Sequence, residues 1–162
     1  MRIHQATATV DIAASPERVW DLITDITLMP RFSTELQHAE WAEGFDTPGL
    51  AAQFLGTNRH PAIGEWTTRS HIVEFDPPRV FGWAVGDPGN AAATWQFDLS
   101  ATPGGSRLRY TARLGPGPSG VTMLIERKPD RAEQIIANRL GQLQAAMETT
   151  LAGLRALAEG AT

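Results

Sequence analysis

Few residues in this chain combine a reactive type with a spacing that chemistry could use, and most of them fall between Asn58 and Tyr110. The segment Ile63 to Phe75 alternates, so its side chains divide between two faces of a strand. One register points Trp66, Thr68, Ser70 and Ile72 inward; the other points Glu65, Thr67, Arg69, His71 and Val73 inward. A one-residue slip exchanges every role, and a bulge would mix the two sets. In the second register Arg69 and His71 stand beside Glu65, a trio able to hold an enolate or carboxylate and shuttle a proton. In the first register the same three form a solvated outer face with cross-strand partners such as Arg107 or Arg109. Both registers stay open at this level. Asn58 shares a face with Phe54 four residues away, and an inward amide needs a ligand, a backbone group or a side chain as partner. Tyr110 adds a phenol on an alternating apolar face.

Other chemistries are excluded by what the chain lacks. It has no cysteine, which removes disulfides, thiol catalysis, thiolate zinc sites and iron–sulfur clusters. No Walker loop, dinucleotide fingerprint, nucleophile elbow or H-E-x-x-H occurs, and Gly115-Pro116-Gly117-Pro118 lacks the Lys-Ser/Thr pair of a phosphate cradle. His4, His38, His60 and His71 are scattered without metal-ligand spacing, so no metal and no cofactor are expected. With 14 basic and 18 acidic residues the net charge is −4, which favours neither nucleic acid nor an anionic membrane. Thirteen of the basic residues are arginine and only Lys128 is lysine, a pattern of GC-rich coding more than of a functional patch. The start Met1-Arg2-Ile3-His4 shows no apolar signal region, and no apolar run reaches the ~18 residues of a membrane span. A cytoplasmic protein without membrane insertion is expected, either monomer or homodimer.

The elements that must position these residues follow from period and punctuation. The 162 residues, 42% hydrophobic and 20% charged, suit one domain over 1–162. Ala6, Ala8, Val10 and Ile12 alternate with Thr7, Thr9 and Asp11 as a half-buried strand. Ser15-Pro16-Glu17 then caps a short helix running to near Ile26, with Trp20 in its core stripe, and Leu28 to Phe32 forms a second brief helix or turn broken by Pro30. From Leu36 to Leu114 the period is two. Leu50, Ala52, Phe54, Gly56 and Asn58 share a face, and Gly/Pro turns at 76–78, 86–90 and 103–105 imply antiparallel neighbours. Trp83, Trp95 and Tyr110 are the aromatic candidates to line the inner face, or simply to fill it; Trp41 lies too near a loop to assign. From about Pro129 to Glu159, Ile136, Leu140, Leu143, Met147, Leu151 and Leu154 make one helical face on the order of 45 Å long.

This order, one strand, two short helices, six strands and a long helix, resembles the START/Bet v 1-like (SRPBCC) superfamily and, within it, the polyketide cyclase/dehydratase-type proteins common in actinobacteria. The resemblance rests on Ile12-Ala13-Ala14-Ser15-Pro16-Glu17-Arg18-Val19-Trp20, Met29-Pro30-Arg31-Phe32-Ser33 and Phe54-Leu55-Gly56-Thr57-Asn58. It continues through Glu65-Trp66-Thr67-Thr68, Asp76-Pro77-Pro78-Arg79, Phe81-Gly82-Trp83, Thr94-Trp95-Gln96-Phe97 and Gly104-Gly105-Ser106-Arg107-Leu108. It implies an α+β helix-grip fold: a curved seven-stranded antiparallel sheet around the long C-terminal helix, with a cavity between them. The cavity would take a hydrophobic or aromatic small molecule, lipid- or polyketide-like. Phe32, Phe54, Asn58, Trp66, Trp83, Trp95, Tyr110, Leu140, Leu143 and Met147 are the expected ligand-binding residues, with Phe32 at the mouth. Two other functions are open: a polyketide aromatase/cyclase or dehydratase using Arg69, His71 and Tyr110, and a co-chaperone-like protein–protein module using the arginine row 107, 109, 113.

Overall fold

A computed structural model describes residues 4–160. Seven strands run β1 (Gln5–Ile12), β2 (Leu36–Trp41), β3 (Gln53–His60), β4 (Gly64–Asp76), β5 (Val80–Val85), β6 (Ala93–Thr102) and β7 (Gly105–Leu114). Three α-helices join them: α1 (Pro16–Ile23), α2 (Gly120–Arg127) and α3 (Ala132–Ala158). All neighbouring strands are antiparallel, in the order β1-β7-β6-β5-β4-β3-β2, so the first strand lies beside the last and both β1 and β2 are edges. The result is the curved α+β sheet and long C-terminal helix of the helix-grip fold.

Local chemistry sets the boundaries. The Ser15 hydroxyl accepts from the Arg18 amide and Pro16 opens α1. The helix stops at Ile23 and not near Ile26, because the Thr24 hydroxyl donates back to the Trp20 carbonyl at 2.8 Å as the chain turns. Leu50 does not share the strand face expected of it. It is 68% exposed, just before Ala51, whose φ of 70° turns the chain ahead of β3. Between β7 and the long helix, where no element is expected from the longer-range period, lies α2, started by a reciprocal capping box in which Ser119 and Thr122 satisfy each other's backbone amides. A 3-10 turn, Pro129–Arg131, then leads into α3.

The core lies between the sheet's inner face and the second half of α3. Leu143, Met147, Leu151 and Leu154 are buried there against Ala6, Ala8, Phe97 and Leu108 in one cluster. Along its length α3 comes closest to β1, and also approaches β7. Over the central strands the space between sheet and helix is taken by large side chains. Phe97 and Tyr110 stack with centroids 4.0 Å apart, and Trp83 touches Phe54, Phe81, Trp95, Phe97 and Tyr110.

Candidate functional site

The register of β4 decides what the inner face can do. β3 pairs Asn58 with Trp66, Gly56 with Thr68 and Phe54 with Ser70, and these rows share the face of Ile72, Trp83 and Trp95. Between Ile72 and Glu74 the ladder slips by one residue. This bulge at Val73 lets Ile72 and Phe75 both point inward although three residues separate them. Trp66, Thr68, Ser70, Ile72 and Phe75 are therefore inward, and Glu65, Arg69 and His71 lie on the outer face. Arg69 is exposed there and donates to the Gln53 side chain at 2.9 Å, and Glu65 pairs with Arg59 at 2.9 Å. His71 lies between Gln53 and Ala84, half-covered, with a buried Nδ1 that finds no partner among the described residues. Two of the three catalytic candidates thus stand a whole sheet thickness from the third. A bulged strand satisfies both apolar sets at once, which is why the alternation alone favoured neither.

What remains on the inner face is a short polar run among rings. The Asn58 amide donates to the Gly56 carbonyl at 3.5 Å and the Thr68 hydroxyl to the same carbonyl at 3.4 Å, both long for such bonds. Two donors share one acceptor, and no further hydrogen bond satisfies either side chain among the described residues. Gly56 matters because a Cβ there would lie 3.1 Å from Leu36 and 3.2 Å from the Thr68 hydroxyl. Ser70 is buried one row further in. Tyr110 is buried on the same face, and burial pushes its hydroxyl well above the usual phenol range. It is a neutral hydrogen-bonding group at any physiological pH and not a base.

The front half of α3 covers this end of the sheet only partly. Ile136 and Leu140 are half-buried, as are Leu36, Asn58, Trp66 and Thr68 opposite, whereas Leu143 and Met147 are buried. Polar ties hold the rim. Arg139 grips Glu35 through two bonds of 2.6 and 2.8 Å, and the Gln142 carbonyl oxygen lies 3.3 Å from Arg139 and 3.0 Å from the His60 ring. Gly120 brings the start of α2 onto Ile63 at the β3–β4 turn. Phe54, Trp83 and Tyr110 are buried in the deep cluster, with Trp95 half-covered beside them. Phe32 is half-buried at the border of the same core, its ring against Gly153 of α3, where a Cβ would be 2.2 Å away. Two concavities lie away from Asn58 and Thr68: one of about 460 Å³ between β1 and α3, and one of about 570 Å³ along residues 129–134.

The outer arginines are engaged by their own sheet. Arg107 pairs with Asp11 at 2.8 Å, Arg109 with Asp98 at 3.6 Å, and Arg113 donates to Gln5 at 3.2 Å. Among the described residues no cluster of three His, Asp or Glu could hold a metal, and no helix is long and apolar enough to cross a membrane.

Known proteins share this architecture. The Polyketide_cyc-like protein Cgl2372 from Corynebacterium glutamicum is 26% identical with a TM-score of 0.68, over 96% of this chain and 91% of that one. The di-domain ARO/CYC StfQ of the steffimycin biosynthetic pathway is 16% identical with a TM-score of 0.74, over 97% of this chain but 51% of its own, so the present chain spans about half of it. The KanY protein is 18% identical with a TM-score of 0.66, over 99% of this chain and 100% of that one. No curated protein matches. Residues 4–159 match the family model described as polyketide cyclase / dehydrase and lipid transport, and the chain belongs to that family.

Proposed function

We infer that the chain binds a largely apolar small molecule bearing a few oxygens, seated between α3 and the inner ends of β3 and β4. The observation that carries this reading is the pair Asn58 and Thr68. Both are half-covered and inward, and they share one carbonyl through long bonds beside the half-covered Trp66. A polar pair in such surroundings has hydrogen-bonding capacity left for a carbonyl or hydroxyl of a ligand. Leu140 and Leu143 supply the apolar wall from α3, Phe54 and Trp83 the base, and Met147 a side chain that repacks easily. Membership of a polyketide cyclase and lipid transport family supports the ligand class.

The test is native mass spectrometry of the purified protein, then tryptophan-quenching titrations with a hydroxylated anthraquinone and with anthracene. The expected result is a copurified or titratable oxygenated ligand whose affinity falls about tenfold in Asn58→Leu, one hydrogen bond's worth, with anthracene unaffected. Equal affinity for both probes in both proteins would overturn the reading.

A second reading, aromatase/cyclase or dehydratase activity, is favoured by the neutral, inward Tyr110. Its hydroxyl has no hydrogen-bond partner among the described residues and is free to donate a hydrogen bond to a ligand carbonyl, polarising it. Tyr110→Phe leaving the product pattern of a supplied poly-β-ketone unchanged would refute it.

A further inference from the structure

The two edges of the sheet are treated differently by the sequence. β2 is six residues long, is interrupted by a bulge between Leu36 and His38, and carries His38 and Glu40. Short length, a bulge and charge are the usual guards against edge-to-edge pairing. β1 is eight residues long with one charge, Asp11, and its register with β7 is unbroken from Gln5 to Ile12.

Its hydrogen-bond parity can be read directly. The Leu114 amide donates to the His4 carbonyl, so the even residues of β1 face β7. The odd residues face away, and the Ala13 amide accordingly meets not a strand but the Glu159 carboxylate at 2.8 Å. The backbone groups of Thr7, Thr9 and Asp11 point out of the sheet, and among the described residues none of them has a partner. Beside this edge runs the 460 Å³ groove, lined by Thr9 and Val10 of β1 and by Glu148, Leu151, Ala152, Arg155, Ala156 and Glu159 along α3.

That arrangement is self-complementary about a two-fold axis through Thr9. Antiparallel pairing of two β1 edges sets Thr9 opposite Thr9 and Thr7 opposite Asp11, each pair exchanging two backbone bonds. The Thr7 hydroxyl then faces a carboxylate, and Ala8 meets Val10 on the apolar side. The α3 helices run along β1 in the same sense, so they too become antiparallel, and Leu151–Ala152 lies at the axis. Glu148 and Arg155, three residues before Leu151 and three after Ala152, meet as opposite charges, twice, once Arg155 turns from Glu159 (3.2 Å away in the same chain) and Glu148 from the Gln144 amide. We propose that this chain forms a two-fold homodimer through its β1 edges, joining two seven-stranded sheets into one, with paired Glu148 and Arg155 setting the register.

Sedimentation velocity across the micromolar range measures the association, and amide hydrogen exchange read at Thr7, Thr9 and Asp11 locates it. The expected result is a reversible dimer whose three edge amides gain protection with concentration. Thr9→Pro removes only an outward N–H and is compatible with an edge strand; Thr9→Lys places two charges at the axis and serves if the proline variant misfolds. Either should abolish the dimer. Glu148→Arg alone, or Arg155→Glu alone, should weaken it about tenfold by creating two like-charge contacts, and the double reversal should restore it. A protein monomeric throughout, as a site reserved for some other extended peptide would leave it, overturns the proposal. So does a dimer indifferent to Thr9→Lys, or a double reversal no tighter than the single ones.

Discussion

Ser106 and Asn58 show how differently two polar side chains on one sheet behave. Ser106 is fully buried, and its hydroxyl donates to the Ala14 carbonyl at 2.6 Å, tying the start of β7 to the loop before α1. Ser106→Ala strands that carbonyl and should cost about 1–3 kcal/mol in chemical denaturation, with no effect on ligand binding. Asn58 has only its 3.5 Å bond, so Asn58→Leu should leave stability within about 0.5 kcal/mol while weakening an oxygenated ligand. The two variants separate a structural polar group from a binding one. Tyr110 stays protonated because burial disfavours the phenolate, so Tyr110-dependent binding should be flat between pH 5 and about pH 9, as a binding titration over that span would show.

At the scale of elements, α3 is two helices in its energetics. Leu143, Met147, Leu151 and Leu154 of the back half are buried in the core, whereas Ile136 and Leu140 are half-covered and the front half is tied by the Arg139–Glu35 and Gln142–His60 contacts. Amide exchange should therefore be markedly faster over 133–142 than over 143–157, and a ligand on the inner face should narrow the difference. The back half depends on Gly153, where Phe32 occupies the volume of a Cβ. Gly153→Ala gains helix propensity but forces the ring away, and should destabilise by about 1–3 kcal/mol. Combining it with Phe32→Ala should recover part of that loss, a coupling that a double-mutant cycle in urea would measure.

The whole molecule is closed by carboxylates at its far end. Glu159 accepts from the Ala13 amide and pairs with Arg155, so its carboxyl is held below its ordinary value, chiefly by the backbone bond. The hydrogen bond from Arg107 does the same to Asp11. A carboxylate with a lowered folded-state pKa binds fewer protons than in the unfolded chain, so stability is full above the unfolded value and falls as pH drops through the folded one. Thermal stability should accordingly decline below about pH 4, and Glu159→Gln should shrink that decline. Since Asp11 lies on the β1 edge and Arg155, the partner of Glu159, lines the groove beside it, acid should dissociate the dimer over the same range, which sedimentation at pH 4 and pH 7 would show.

The order of elements, the Ser15 cap and the alternating faces of β6 and β7 were legible from residue types, because capping, proline and period are local effects. The Ser119-x-x-Thr122 box also stood in the sequence, with Val121, Leu124 and Ile125 at helical spacing after it, so α2 too was legible although no helix is expected there from the longer-range period. Among the site residues, Asn58 and Phe54 could be put on one face because four residues of unbroken strand separate them. The facing of Trp66, Arg69 and His71 could not, since Ile72 and Phe75 demand opposite registers until a bulge reconciles them. Only pairing with β3 and β5 places that bulge, by giving each strand's backbone bonds their partners. Which aromatics are deep and which half-covered was likewise decided by where α3 lies along β1, a distance between elements that no local preference encodes.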